Sequence, residues 1–493
     1  MWRMCKNARN LRCASAIALC AMLAACAVGP DYHAPKLKLP EQWSAMKGAP
    51  ADKVQPDLGL PSRSKRDQPA FIPYGTTARQ PSQRSACEGW WHRFNDEKLN
   101  VLITEAEENN HDLKIAATRV RMARAQRVGA AAALYPQITA GSTANRGSRE
   151  NFFTGKAFGM YDANFDAAWE IDLFGGNQRK AEAAEAVTQE AEASARGALI
   201  SLRAEVARNY FAMRNLQEQL RITQETASAQ AETLNLTREM QTAGTVSGLD
   251  AAQAEAQFQS TLSRVPELQA RLAAVKNQLA VLLGKTPESL DSSLNAPEAM
   301  PVADSAVVVA MPAEVIAQRP DLAAAERELA SKTALNGAAI AEMYPKLSLS
   351  ALLGAMHSSF FVGGTTREWE TGGGLTAPIF NAGRIQANIR SSDAEAQAAL
   401  YAYQQTALKA LAEVETALTN YLKEDEKRTA LKTAAEAAKH AEALARERYQ
   451  KGADSFLSVL TAQRAAFDAQ SALATSEAAV AEDLVAVYKA LGV

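Results

Sequence analysis

The chain has 493 residues, a formal net charge of −2 and 47% hydrophobic residues, enough for several domains or one elongated one. Near-neutrality, with no Lys/Arg patch interleaved with aromatics, excludes the electrostatic footprint that nucleic acid binding requires. Five cysteines, four of them at or before residue 26, exclude a disulfide framework.

Residues 1–25 carry Arg3, Lys6, Arg9 and Arg12, then an apolar run from Ala14 to Ala25. This reads as an export signal, too short to remain as a membrane helix. Leu23-Ala24-Ala25-Cys26 looks like a bacterial lipobox, which would make Cys26 the lipid-modified first residue of the mature chain. Ala27 follows, where Asp would resemble an inner-membrane retention signal, so outer-membrane delivery is expected. Removing residues 1–25 leaves 49 Lys+Arg against 55 Asp+Glu, a mature charge of −6. Cys87 then has no intrachain partner and reads as a bystander in a loop.

Nine of the 18 prolines fall between Pro30 and Pro81, so this stretch should be extended and irregular, with 46–85 mobile. Order should resume at Trp90-Trp91, followed by one helix from Leu99 to Leu134 that Tyr135-Pro136 ends. Ile138, Ala140, Ser142 and Ala144 alternate with polar neighbours as a first strand. A Gly/Ser/Asn-rich loop leads to a second, in which Tyr161, Ala163, Phe165, Ala167, Trp169, Ile171 and Leu173 alternate with Asp162, Asn164, Asp166, Glu170 and Asp172. Such a strand has one apolar and one wet face.

From Gln178 to about Ala243 there is no proline, and eight alanines fall in residues 181–200, which predicts a single helix roughly 100 Å long. A turn at Gly244 to Gly248 is followed by a helix from Leu249 to Leu283, interrupted in register by Pro266 and closed by Gly284. Lys285 to Pro320 is a connector. The pattern then returns. Asp321-Leu322 answers Asp112-Leu113 and Tyr344-Pro345 answers Tyr135-Pro136, both at an offset of 209, and Gly452 to Leu457 answers Gly244 to Leu249 at 208. Leu347, Leu349, Ala351 and Leu353 form a third strand face. Trp369, Thr371, Gly373, Leu375, Ala377 and Ile379 form a fourth, and a second long helix runs to about Gln450. Agreement of the offsets makes the chain an internal tandem duplication. The divisions are a signal peptide (1–25), an acylated extended segment (26–97), a first repeat (98–284), an equatorial connector (285–310) and a second repeat (311–493).

Strands with an apolar face in a lipidated, exported chain are most simply lipid-facing. Open edges would leave unpaired backbone groups in hydrocarbon, so only a closed barrel suffices. Four strands cannot enclose a useful lumen, which requires oligomerisation. Twelve strands from three chains fits the usual sizes, although periodicity does not itself fix the stoichiometry. The alanine-rich helices would continue the tube as a wall one helix thick.

Several motifs resemble the TolC-like outer-membrane factor family, most closely the lipoprotein (NodT/OprM-like) branch of RND tripartite efflux systems. They are Trp91, Phe94, Asp96 and Leu99; Asn110-x-Asp112-Leu113; Tyr135-Pro136; Trp169 through Gly175; Arg319-Pro320-Asp321-Leu322 with Glu326; and Pro378-Ile379-Phe380 with Gly383-Arg384. The resemblance implies an α+β membrane protein. It would be a homotrimer, with a 12-stranded β-barrel in outer-membrane lipid continuing into a periplasmic α-helical barrel that docks to an adaptor protein and an inner-membrane RND pump. It also implies a gate at the turns Gly244 to Asp250 and Tyr449 to Leu460. Leu457 matches the position of an apolar constriction there, and Asp454 could add a ring of three carboxylates. Spacing alone gives Leu457 as tip core and Asp454 as a solvated turn residue. Thr461 stands where family members often carry an acid.

His33, His92, His111, His357 and His440 lack metal-ligand spacing, Gly363-Gly364 and Gly372-Gly373-Gly374 are strand-end glycines rather than a strand-to-helix phosphate loop, and no nucleophile–base arrangement is visible. Neither cofactor nor enzymatic activity is expected. Three functions remain: an exit duct for drugs or metal ions, a duct for type I protein secretion, and a structural or adhesive lipoprotein without a pore.

Overall fold

The computed structural model describes residues 27–35, 37, 39–46, 54–56, 89–148, 157–290, 294, 296–301, 307–309, 312–358 and 364–493. Cys26, Cys87, the export signal and most of 46–85 lie outside them. The chain divides into two compact units. One comprises Met1–Lys36, Thr118–Ala193 and Ala323–Thr406; the other comprises Leu37–Ala117, Ser194–Leu322 and Ala407–Val493.

The order two helices, two strands, long helix occurs twice, followed by two helices the first time and by one the second. First come helices α1 (Glu97–Asn109) and α2 (His111–Ala132), strands β2 (Gln137–Ser148) and β3 (Ala157–Ile171), the long helix α3 (Gly176–Thr242), and helices α4 (Gly248–Leu262) and α5 (Arg264–Leu282). Then come α6 (Pro312–Gln318), α7 (Pro320–Ala341), β5 (Lys346–Ser358), β6 (Thr365–Thr376), α8 (Arg384–Gln450) and α9 (Phe456–Leu491). Both long helices, α3 and α8, have 67 residues, about 100 Å each. They stop in the same way. Gly244 and Gly452 adopt φ of +71° and +69°, and the next amides, of Thr245 and Ala453, donate back to Met240 and Arg448 carbonyls at 3.0 and 2.9 Å. This left-handed ending satisfies carbonyls that the helix leaves free, in a conformation that costs glycine least.

Four departures from the sequence pattern have local causes. The helix expected over Leu99 to Leu134 is broken at Asn110 (φ −57°, ψ 130°), whose side chain accepts from the Leu113 amide at 2.9 Å and donates to the Leu282 carbonyl at 2.9 Å. The break before α5 falls at Ser263, ahead of Pro266, because a proline in the first turn lacks only an amide that would have no helical partner. Strand β6 ends at Thr376 rather than Ile379: Pro378 cannot donate to a ladder and restricts Ala377. Finally, part of the stretch read as mobile is a strand. β1 (Val54–Pro56) pairs in parallel with β4 (Val307–Val309), with its proline at the strand end, where a missing donor is tolerated.

In the first unit, β2, β3, β5 and β6 form an antiparallel sheet in that order. The second unit holds the main apolar core. Trp43, Trp90, Phe94, Leu99, Tyr210, Phe211, Leu279, Leu283, Val485 and Tyr488 are buried in it, with Trp90 stacked on Tyr488 at 5.3 Å. Arg214 is fully buried there. Its guanidinium donates to the Tyr210 hydroxyl (2.7 Å), Gln217 Oε1 (3.0 Å), the Ala296 carbonyl (3.1 Å) and Glu298 (2.5 Å), so the buried charge is fully hydrogen-bonded.

Candidate functional site

Period-two alternation sorts the sheet into two unlike faces. Phe165, Leu353 and Trp369 are register partners on β3, β5 and β6, and they are 60, 64 and 75% exposed. Ile138, Tyr161, Leu349 and Leu375, also exposed, share this face. Contiguous exposed aromatic and aliphatic area of this kind marks an interaction surface in any protein. The opposite face carries Asp162, Asn164, Asp166, Glu170, Glu368 and Glu370. On it Thr143 hydrogen-bonds Asp162, and Lys346 pairs with Glu170 at 3.4 Å. Strands β2 and β6 each have one neighbour among the described residues, so each presents an unpaired backbone edge. Among the described residues no helix is long and apolar enough to cross a membrane.

In the second unit, the turns that end α3 and α8 each lead into a following helix. Ser247 and Asp250 cap α4 reciprocally, the side chain of each meeting the other's backbone amide. Before α9, the equivalent capping falls to Asp454. Its Oδ1 accepts from the Ser455 amide (2.8 Å) and the Ser458 hydroxyl (2.7 Å), and its other oxygen lies 3.3 Å from Arg448 Nε. The Ser458 hydrogen bond, followed by that from Ser455, holds the Asp454 carboxyl below its ordinary range. Asp454 is thus a tied turn residue, not a freely solvated one. Leu457 is not tip core: it is 62% exposed, while Leu234, Ala254, Tyr449, Phe456, Val459 and Leu460 make the buried cluster. Leu249 occupies the corresponding place on α4 and is equally bare, at 65%. Thr461 donates its hydroxyl to the Leu457 carbonyl at 2.8 Å.

Polar links that spacing did not indicate join the two tip regions. Tyr449 Oη lies 3.3 Å from Thr237 Oγ1, and because Thr237 already donates to the Thr233 carbonyl, Tyr449 is the donor. Gln463 donates to Thr233 Oγ1 (3.3 Å), Arg464 to Gln257 (2.7 Å) and Arg446 to Glu232 (2.5 Å). Only the tertiary fold brings these pairs together, since their partners lie some two hundred residues apart.

The profile of the outer membrane efflux protein family matches residues 102–285 and again 311–493. Nodulation protein T of Rhizobium leguminosarum bv. viciae is 29% identical over 490 residues, 98% of this chain and 93% of that protein. The pyoverdine export outer membrane protein OpmQ of Pseudomonas putida is 33% identical over 427 residues, 84% of this chain and 88% of its own length. Among solved structures, the outer-membrane channel OprN superposes with a TM-score of 0.82 at 32% identity, covering 95% of this chain and 99% of that one. With both stretches of helix, strand pair and long helix matched, the chain belongs to the outer membrane efflux protein family.

Proposed function

We propose that this protein is the outer-membrane channel of a tripartite efflux system, a passive duct through which an inner-membrane RND pump, joined by a periplasmic adaptor, expels small toxic compounds. The carrying observation is the four-stranded sheet, whose exposed apolar face bears Phe165, Leu353 and Trp369 and whose edges at β2 and β6 lack neighbours among the described residues. In hydrocarbon such edges must pair. Three copies joined β2 to β6 give twelve strands, with the Asp162 to Glu170 face lining the lumen. The chain arose by tandem duplication, each repeat contributing one strand pair and its helices. Cys26 is acylated and adds a lipid anchor on the periplasmic side. Family membership and the export role in the name of its relative OpmQ support a small-molecule cargo.

The gate lies at the helix tips. Exposed Leu457 from three protomers forms an apolar constriction that impedes ions by dewetting, and Asp454 holds the turn that presents it. Opening is a shift of α8 and α9 against α3 and α4. Purified protein in planar bilayers should give discrete conductance steps; a preparation that binds bilayers and conducts nothing would refute the duct. A deletion strain should become sensitive to part of a panel of drugs, dyes and metal ions, and an unaltered profile across the panel would count against efflux.

A further inference from the structure

Residues 27–32 are held at the foot of β3 by backbone and side-chain contacts. The Val28 amide donates to the Phe174 carbonyl at 3.1 Å. Arg179, 5% exposed, donates Nε to the Val28 carbonyl (3.3 Å) and one terminal nitrogen to Asp31 Oδ1 (2.6 Å), while its other arm goes to Glu182 (2.9 Å). One desolvated guanidinium therefore serves three acceptors, two of them on the strap, as its rigid fork of donors allows. The next residue, Tyr32, donates to Glu326 (2.9 Å) and lies beneath the Arg327 guanidinium at 5.5 Å.

Backbone approaches backbone here. A Cβ on Gly29 would stand 2.5 Å from Gly337 Cα, and one on Gly175 would stand 2.7 Å from Ala27 Cα. Gly337 lies within α7, where glycine costs about 1 kcal/mol relative to alanine, and a Cβ there would crowd the Arg179 side chain at 3.1–3.2 Å. The seat lies where the apolar face ends: Ile171 is the last residue of β3, and Phe174 stacks on Tyr344 at 4.6 Å.

Ala27 follows Cys26 in the sequence. Resting on the lipoprotein reading of Cys26, we propose that this seat, with Arg179 as its positioning residue, fixes where the acylated amino terminus enters the bilayer, beside the periplasmic end of the sheet. A lipid anchor supplies membrane affinity but no position. Released from the seat, residues 27–35 would let it wander about 17 Å, lowering its effective concentration at the sheet.

The test uses full-length protein in cells fed a photo-reactive fatty acid, with crosslinks mapped by mass spectrometry. In wild type they should concentrate near the strand feet around Ile171 and Leu347. Arg179→Ala and Asp31→Ala should incorporate the label equally and lose those crosslinks at least ~threefold. Asp31 guards against misfolding as an explanation, because its side chain is 76% exposed. An unchanged crosslink map in Asp31→Ala and Arg179→Ala would overturn the proposal. Failure of wild type to take up the label would instead overturn the lipoprotein reading.

Discussion

Leu249 and Leu457, 208 positions apart, each stand two residues past the serine at a helix N-cap position, Ser247 and Ser455, and both are bare, at 65 and 62% exposure. An exposed leucine at each tip contributes nothing to the local core, which Phe456, Val459 and Leu460 supply. Replacing either with alanine should therefore leave stability unchanged. For Leu457→Ala the closed-channel leak in planar bilayers should rise several-fold, because a less apolar constriction wets more readily. Leu249→Ala is the matched control, for which no change in leak is expected. Equal leak in both variants and wild type would remove Leu457 from the gate.

If opening moves α8 and α9 against α3 and α4, the polar links between them must break. The Arg446–Glu232 pair is largely exposed and contributes about 0.5 kcal/mol, and the buried Tyr449–Thr237 hydrogen bond adds about 1 kcal/mol. The double variant Arg446→Ala/Tyr449→Phe should therefore raise the open-to-closed ratio roughly tenfold, read as open probability in single-channel records.

The two sheet faces make opposite predictions. Phe165→Arg places a charge on the apolar face at mid-strand and should cost about 2–4 kcal/mol of insertion, seen as loss of the assembled form from the outer-membrane fraction. Asp166→Arg, one residue along and on the other face, should assemble normally and change ion selectivity instead.

Asn110 joins two helices that a continuous apolar pattern would fuse. Asn110→Ala removes the α2 cap at the Leu113 amide and strands the Leu282 carbonyl, a combined loss of about 2 kcal/mol. Asn110→Asp keeps the acceptor and should recover about half, measured by thermal unfolding of the purified protein.

The alternation of Tyr161 through Ile171 and the proline-free runs made strands, faces and long helices legible from residue order alone, because periods of 2 and 3.6 are written locally. The breaks were less legible. Nothing in a helical period announces that Asn110 will leave it for the Leu282 carbonyl. At the tip, resemblance pointed to Leu457 and Asp454, but the elements that lock the region, Tyr449 to Thr237 and Arg446 to Glu232, are tertiary pairings without a sequence signal. The strap seat was equally hidden: Gly29, Gly175, Arg179 and Gly337 acquire a shared purpose only when three segments meet.

The Arg214 cluster yields a pH dependence whose sign is fixed. Hydrogen bonding from Lys98 outweighs the opposing desolvation and, with the nearby Arg214 charge, holds the Glu298 carboxyl below its ordinary 4.5. A group with a depressed folded pKa stabilises the fold fully above its unfolded value and loses that contribution as pH falls through the folded value. The contribution of Glu298 should therefore be constant from neutrality down to about 5 and fade below 4.5. Glu298→Gln should be less stable than wild type at pH 7, and the gap should close on acidification. Arg214→Met should cost about 2 kcal/mol at pH 7, since the Ala296 carbonyl and Gln217 lose their donor while half-exposed Glu298 keeps Lys98. Parallel acid melting curves for wild type and Glu298→Gln would show that Glu298 plays no part in this linkage.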